Sequence, residues 1–172
     1  MSARCVVTAR CHVEVRSIPG GINTCEEAYV KLNGIRIFYL ASHCNSTIDS
    51  TPGAKIGFHI HLIDPFTCSI IEEPEHFETH GNETHAHALR DYLDGLDDYA
   101  VITGNMIDEA FSHLSPAYDA LLRLGIDLRG LKYRGPFAFV TQKSTNKTVQ
   151  KVRTQKESKK SPAKLSVMIT GM

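Results

Sequence analysis

Ala28-Tyr29-Val30-Lys31-Leu32-Asn33-Gly34-Ile35-Arg36-Ile37-Phe38-Tyr39 decides how this chain is read. Two runs rich in β-branched and aromatic residues flank Asn33-Gly34, the pair that a two-residue type I′ turn favours because both central residues take positive φ. The turn predicts an antiparallel hairpin with Leu32 opposite Ile35 and Val30 opposite Ile37 on one face. Cys25 and Cys44 lie just outside its open end, near the register at which a bridge would close it. Their spacing is compatible with a disulfide and equally with two separate thiols.

Outward from the hairpin, periodicity and turn residues mark further elements along the chain. Upstream, Val13 and Val15 alternate with polar neighbours, a short strand pattern. Downstream, Phe58, Ile60 and Leu62 alternate with His59 and His61, and after the Asp64-Pro65 turn the run Thr67 to Ile71 makes a second hairpin. Polar residues from Glu72 to His87 read as a long loop. Leu89, Tyr92, Leu93 and Leu96 fall at i, i+3, i+4 and i+7, one stripe of a helix that Asn82 or Thr84 can cap. Tyr99 to Thr103 reads as a buried strand. Ser115-Pro116 reads as an N-cap with proline at the first helical position, and Gly125 closes the helix carrying Ala120, Leu121 and Leu124. Phe137 to Val140 is a further strand. The Lys/Ser/Thr-rich stretch after it has no periodicity, and Leu165 to Thr170 recovers strand character.

Hairpins first, helices inserted later and strands again at the end predict an α+β fold rather than a parallel βαβ pattern. With 172 residues, 42% hydrophobic, the chain is long enough for one domain that buries roughly two-thirds of its unfolded surface without metal or disulfide. The expected organisation is a single domain over 1–172, with its core at about 12–142, a basic loop at 143–164 and a final strand at 165–170. Val13, Val30, Ile37, Phe58, Ile60, Leu62, Leu89, Leu93, Val101, Leu121, Phe137 and Phe139 are the expected core. No window reaches the eighteen apolar residues of a spanning helix, so no membrane span is expected. The opening residues also lack the apolar segment of a signal peptide.

The net charge of zero conceals a split. Residues 1–141 hold 11 Lys/Arg against 18 Asp/Glu, while residues 142–172 hold 8 against 1. Lys143 to Lys164 has no interleaved aromatic to stack on a base, so no nucleic-acid partner is expected and the segment reads as a solvated loop. The five cysteines (Cys5, Cys11, Cys25, Cys44, Cys68) show no C-x-x-C spacing. Sequons at Asn45, Asn82 and Asn146, taken with those cysteines, point to a secreted or luminal glycoprotein with one thiol left over.

His59-x-His61 places two imidazoles on one strand face, an arrangement some zinc sites use, and His76, His80, His85 and His87 follow in the next loop. No third ligand stands at a telling spacing, so neither a metal nor any other cofactor is expected. Glu72-Glu73 and Asp97-Asp98 read as solvated pairs. Asp108-Glu109 differs, lying between a strand end and a helix start where a loop can present its oxygens. No nucleophile elbow, phosphate-cradling glycine loop or catalytic Cys/His spacing occurs, and no enzymatic activity is expected.

Read together, Gly104-Asn-Met-Ile-Asp-Glu-Ala-Phe-Ser-His-Leu-Ser, then Ala120-Leu-Leu-Arg-Leu-Gly125, then Leu131-Lys-Tyr-Arg-Gly-Pro-Phe-Ala-Phe-Val-Thr-Gln-Lys143 resemble the interleukin-like EMT inducer, or PANDER-like (GG), domain family. That family includes the stem domain of protein O-mannose GlcNAc-transferase. Gly57 to Asp64 stands where the family has its Gly-Ile-Asn-Val strand, and Phe77-Glu-Thr-His80 where it has Phe-Asp-Thr-Tyr. Ser161-Pro-Ala-Lys-Leu resembles the return to a final strand. The likeness covers about residues 12–170. Departures are Gly135 for the family's aspartate after the motif arginine, Phe137 for its tryptophan, Ile126 for its serine, and Thr141 and Ser144 for its closing glycines.

The resemblance implies two antiparallel sheets packed as a compact sandwich with helices at the side, and a non-catalytic role. It further implies a lectin-like module whose partner is a glycan. Sugars need a carboxylate to accept hydroxyl hydrogens, a forked donor and an aromatic face, and Asp108, Glu109, Arg134 and either Tyr133 or Phe137 supply these at the motif positions. A homo-oligomer would add avidity. The alternative that the family implies is a secreted cytokine-like signal acting on a protein receptor.

Overall fold

The structure, a computed structural model, describes residues 10–18, 27–41, 57–107, 113–129, 131, 135–143, 147–152 and 162–170. Strands β1 (Arg10–Ser17), β2 (Glu27–Leu32) and β3 (Ile35–Ala41) come first, then β4 (Gly57–Asp64), β5 (Ser69–Ile70) and β6 (Glu75–Phe77). Helix α1 (Thr84–Gly95) leads to β7 (Val101–Ile107), a 3₁₀ turn (Ser115–Ala117) and α2 (Tyr118–Arg123). The chain closes with β8 (Phe137–Gln142), β9 (Lys147–Val152) and β10 (Ala163–Thr170). One sheet runs β10-β1-β2-β3; the other runs β5-β4-β7-β8-β9, with β6 also paired to β4. All described pairings are antiparallel.

The second sheet forms the middle of three layers, which explains why β4 is buried along nearly its whole length. Its alternation divides two cores. Phe58, Ile60 and Leu62 join Phe137 and Phe139 of β8 against Leu89, Leu93, Leu121 and Leu124 of the helices. Ile63, Val101, Ala138 and Val140 face the other way, onto Val13, Val15, Val30, Leu32 and Leu165 of the first sheet. Each fully buried side chain of this size contributes about 1.5–3 kcal/mol relative to exposure. The expected core residues lie in these two clusters, with Ile37 half-buried at the rim of the second.

The Asn33-Gly34 turn has the two positive φ values, 48° and 82°, that type I′ requires. Leu32 pairs with Ile35 as expected, but a bulge between Val30 and Lys31 sets Val30 opposite Phe38 rather than Ile37. The extra residue in β3 turns the Phe38 ring toward the second sheet, where it packs against two histidines.

Other elements differ from the sequence reading. The polar run after Glu72 contains β6, whose His76 pairs with His59 across the sheet edge. Ser115 is the first residue of a 3₁₀ turn, with Leu114 at the cap position and no side-chain cap bond. Gly125 ends α2 as expected: its φ of +75° suits glycine, and its N–H donates to the Leu122 carbonyl at 2.9 Å. The stretch read as a basic loop contains β9, paired to β8 along its length. Its apolar residues Val149 and Val152 do not alternate, but an edge strand needs only one supported face. Thr148 supplies part of that support, its hydroxyl donating to the Leu124 carbonyl at 2.6 Å and lying 2.7 Å from that of Thr141. The final strand starts at Ala163, two residues earlier than its apolar run indicates.

A disulfide joins Cys11 of β1 to Cys68, in the turn after β4, so it links one sheet to the other. Cys25 and Cys44, the candidates from the sequence, lie outside the described residues, as does Cys5.

Candidate functional site

The sandwich has two ends with different chemistry. At one, β7 finishes at Ile107 and β8 begins at Phe137, with Met106 paired to Phe137. In sequence, Asp108-Glu109 directly follows β7 and Tyr133-Arg134 ends three positions before Phe137, so these segments adjoin neighbouring strands along the chain. Those four residues lie outside the described residues. Phe137, the fifth, is fully buried, with its ring centroid 5.9 Å from that of Phe139. Alternation on β8 turns it onto the helices, so it is a core residue with no face for a ligand, and the aromatic part of the expected site rests on Tyr133.

At the opposite end, the β4–β5 turn and the α1–β7 connection enclose a cleft of about 510 Å³. Asp64 builds one wall by folding the chain back on itself: its Oδ1 accepts the N–H of Phe66 at 2.8 Å and of Thr67 at 3.3 Å. The Phe66 amide, followed by the Thr67 hydroxyl, holds the Asp64 carboxyl below the usual carboxylate range. The turn leaves the Phe66 ring half exposed. The other wall is the connection after α1. There Asp97 Oδ1 accepts the Tyr99 N–H at 3.3 Å, Gln142 donates to the Tyr99 carbonyl at 3.0 Å, and Lys143 donates to the Leu96 carbonyl at 2.9 Å. Tyr99 is 62% exposed. Glu72 closes the cleft, one carboxylate oxygen accepting from the Tyr92 hydroxyl at 2.7 Å. Burial, with that bond to Glu72 second, pushes the Tyr92 hydroxyl well above its ordinary value.

Glu72 and Asp97 thus belong to one concave surface, although in sequence each is half of an acidic pair indistinguishable from a solvated face. The signal that was available is local: an Asp-Pro turn followed by Phe66, and an Asp-Asp pair followed by Tyr99, each setting a ring beside a carboxylate. On the far side of the same connection a second cleft is lined by Asp94, Asp98, Arg123 and Lys143, with Arg123 and Asp94 joined at 2.6 Å.

His59 and His61 face the layer between the sheets, as their spacing requires, and both are buried. The Phe38 ring centroid lies 4.9 Å from each, and His76 stacks on His59 at 4.7 Å. Among the described residues no three His, Cys, Asp or Glu side chains are arranged to hold a metal ion. Neither ring nitrogen of His61 has a hydrogen-bond partner among the described residues, and burial lowers its pKa to about 4. A neutral imidazole is therefore required in the folded state. The unfolded chain takes up a proton near pH 6.5, so this contribution to stability is complete above that pH and is lost as pH falls from 6.5 toward 4. At its limit it amounts to about 3 kcal/mol. Chemical unfolding of the wild type and of His61→Leu at pH 7 and pH 4.5 should show the wild type losing more stability; equal losses would place the responsible group elsewhere.

The family model described as interleukin-like EMT inducer matches residues 56–145, which include both walls of the cleft and both strands that flank Asp108 and Arg134. No curated protein matches the chain significantly.

Proposed function

Because the chain belongs to the interleukin-like EMT inducer family, we propose that it is a non-catalytic carbohydrate-binding module, acting in a secreted or luminal setting. Its glycan lies between the Asp108-Glu109 and Tyr133-Arg134 segments. The observation that supports this reading is the β7–β8 register, in which Met106 neighbours Phe137, with Asp108 following β7 directly and Arg134 three positions before Phe137 in sequence. Carboxylates accept the hydrogens of vicinal hydroxyls, the guanidinium donates to ring and hydroxyl oxygens, and Tyr133 offers the apolar face. A single shallow site of this kind gives a Kd of about 10⁻³ to 10⁻⁵ M, roughly 4 to 7 kcal/mol. Useful strength then depends on several sites acting together.

Arg134→Ala deletes a forked donor and strands the sugar oxygens it served. On a broad glycan array the wild type and Lys132→Ala should bind, while Arg134→Ala, folded to the same unfolding midpoint, should show no detectable binding. Retention by Arg134→Ala would move the site. An empty array for the wild type would favour the signalling function, with a protein receptor as ligand.

A further inference from the structure

The cleft between Phe66 and Tyr99 has a donor and acceptor balance unlike that of a sugar site. Among the described residues its charged lining consists of Asp64, Glu72 and Asp97, without lysine, arginine or histidine, and the Tyr99 hydroxyl is the sole side-chain donor of that lining. A sugar hydroxyl both donates and accepts, so a glycan would leave its own lone pairs unserved here. Ammonium and guanidinium groups only donate, and they carry the charge these carboxylates lack. Two exposed rings, Phe66 and Tyr99, add faces over which such a cation is attracted. An apolar floor of Leu62 and Leu96 suits the methylene stem of a lysine or arginine.

The chain itself carries the complementary element. Lys151, Arg153, Lys156, Lys159 and Lys160 stand within ten residues that contain one acid, Glu157. Residues 153–161 lie outside the described residues, but their attachment points do not. Val152 pairs with Phe137 and Ala163 with Ser17, and both pairs are at the end of the sandwich away from the cleft, since Cys11, at the other end of β1, is bonded to Cys68 beside it. From Val152 the cleft is about six residues along the sheet and three strands across, roughly 25 Å at the usual strand rise and spacing. A ten-residue connection that must return to Ala163 extends only about 17 Å. The segment falls short of its own cleft.

We propose that the acidic, aromatic cleft is the docking site for the basic segment Lys151–Lys160 of a second copy of this chain, giving head-to-tail association. The contact is heterologous: each copy offers a cleft at one end and a basic segment at the other, so copies add in series until a ring closes or a filament grows.

Sedimentation of the full chain over a range of concentrations tests this, together with fluorescence anisotropy of a labelled peptide of sequence Lys151–Lys160. The wild type should self-associate at low salt, and the peptide should bind it at least tenfold more weakly when salt is raised from 20 to 500 mM. Asp97→Asn with Tyr99→Ser spoils the cleft, and Lys156→Ala with Lys159→Ala and Lys160→Ala spoils the segment. Each variant alone should be monomeric, and their mixture should form a one-to-one complex that grows no further, because one intact contact remains. Both variants should keep any glycan binding the wild type shows, which separates this outcome from failure of the carbohydrate reading. A wild type that stays monomeric, peptide binding unaffected by the cleft variant, or a mixture that forms no complex would each overturn the proposal.

Discussion

A chain ending at Pro162 should lose the cooperative unfolding transition of the 172-residue chain. Strand β10 pairs with β1 from Arg10–Thr170 to Ser17–Ala163, eight successive pairs. Its Ala163, Leu165 and Ile169 are buried in the core between the sheets. Removing one such Leu or Ile side chain typically costs about 2–5 kcal/mol, and the truncation removes both at once along with every hydrogen bond on that side of β1. Against a total stability of about 5–15 kcal/mol for an ordinary domain, the first sheet does not survive. Near-ultraviolet circular dichroism and hydrogen exchange of the truncated chain should report loss of ordered packing and fast exchange at Val13 and Val15. Leu165→Ala, which leaves the backbone complete, should fold and lower stability by about 2–4 kcal/mol. If the truncated chain unfolds at the same midpoint as the full one, β10 is not part of the folded unit.

The second large effect is expected from Cys11–Cys68, which closes a loop of sequence separation 57. Loop-closure entropy in the unfolded chain makes such a crosslink worth about 4 kcal/mol. Its location strengthens the expectation, because the bonded turn is held from several directions. The Asn33 side-chain amide donates to Cys68 Sγ at 3.3 Å, Asn33 Oδ1 accepts from the His12 N–H at 2.9 Å, and the Asn33 N–H donates to the His12 carbonyl at 2.8 Å. The bond therefore fastens the β2–β3 turn, the start of β1 and the wall of the cleft together. Cys11→Ser with Cys68→Ser should lower the unfolding midpoint in urea by the amount that reductant lowers it in the wild type, and reductant should not shift the double variant further. A double variant as stable as the oxidised wild type would contradict this account.

The legible parts of the fold were those governed by neighbours in sequence. Asn33-Gly34 announced its turn through backbone chemistry that no tertiary contact alters, and the Leu89, Leu93 stripe announced the buried face of α1. What stayed hidden depends on partners far along the chain. The bulge at Val30 and Lys31 answers to the histidines of β4, which Phe38 must cover. The Cys11–Cys68 bond crosses between sheets, whereas spacing alone drew attention to Cys25 and Cys44 at the open end of a hairpin. Strand β9 lacks alternation, and its hydroxyl anchor on the Leu124 carbonyl leaves no mark in composition.

The candidate site divides along the same line. Asp108 and Arg134 could be named because the family pattern surrounds them, while Phe137 could not be told from a ligand-facing ring until its direction on β8 was known. The cleft is legible only in pieces: each ring stands beside its carboxylate in sequence, but the end of β4 and two separate connections supply Asp64, Glu72 and Asp97, and nothing local joins them.

The pairing of β1 with β10 also sets an order of events during synthesis. About 145 residues separate Ser17 from Ala163, which at about 5–20 residues per second is roughly 7 to 30 s of translation. Throughout that interval β1 can pair with β2 but not with its other neighbour. Until β10 emerges, the nascent chain therefore carries an open edge on β1, the strand of Val13 and Val15. Slow synthesis lengthens that exposure and fast synthesis shortens it, so the yield of soluble protein should rise with translation rate or with a chaperone that holds extended segments, while the rate at which the finished chain refolds from denaturant is unaffected by either.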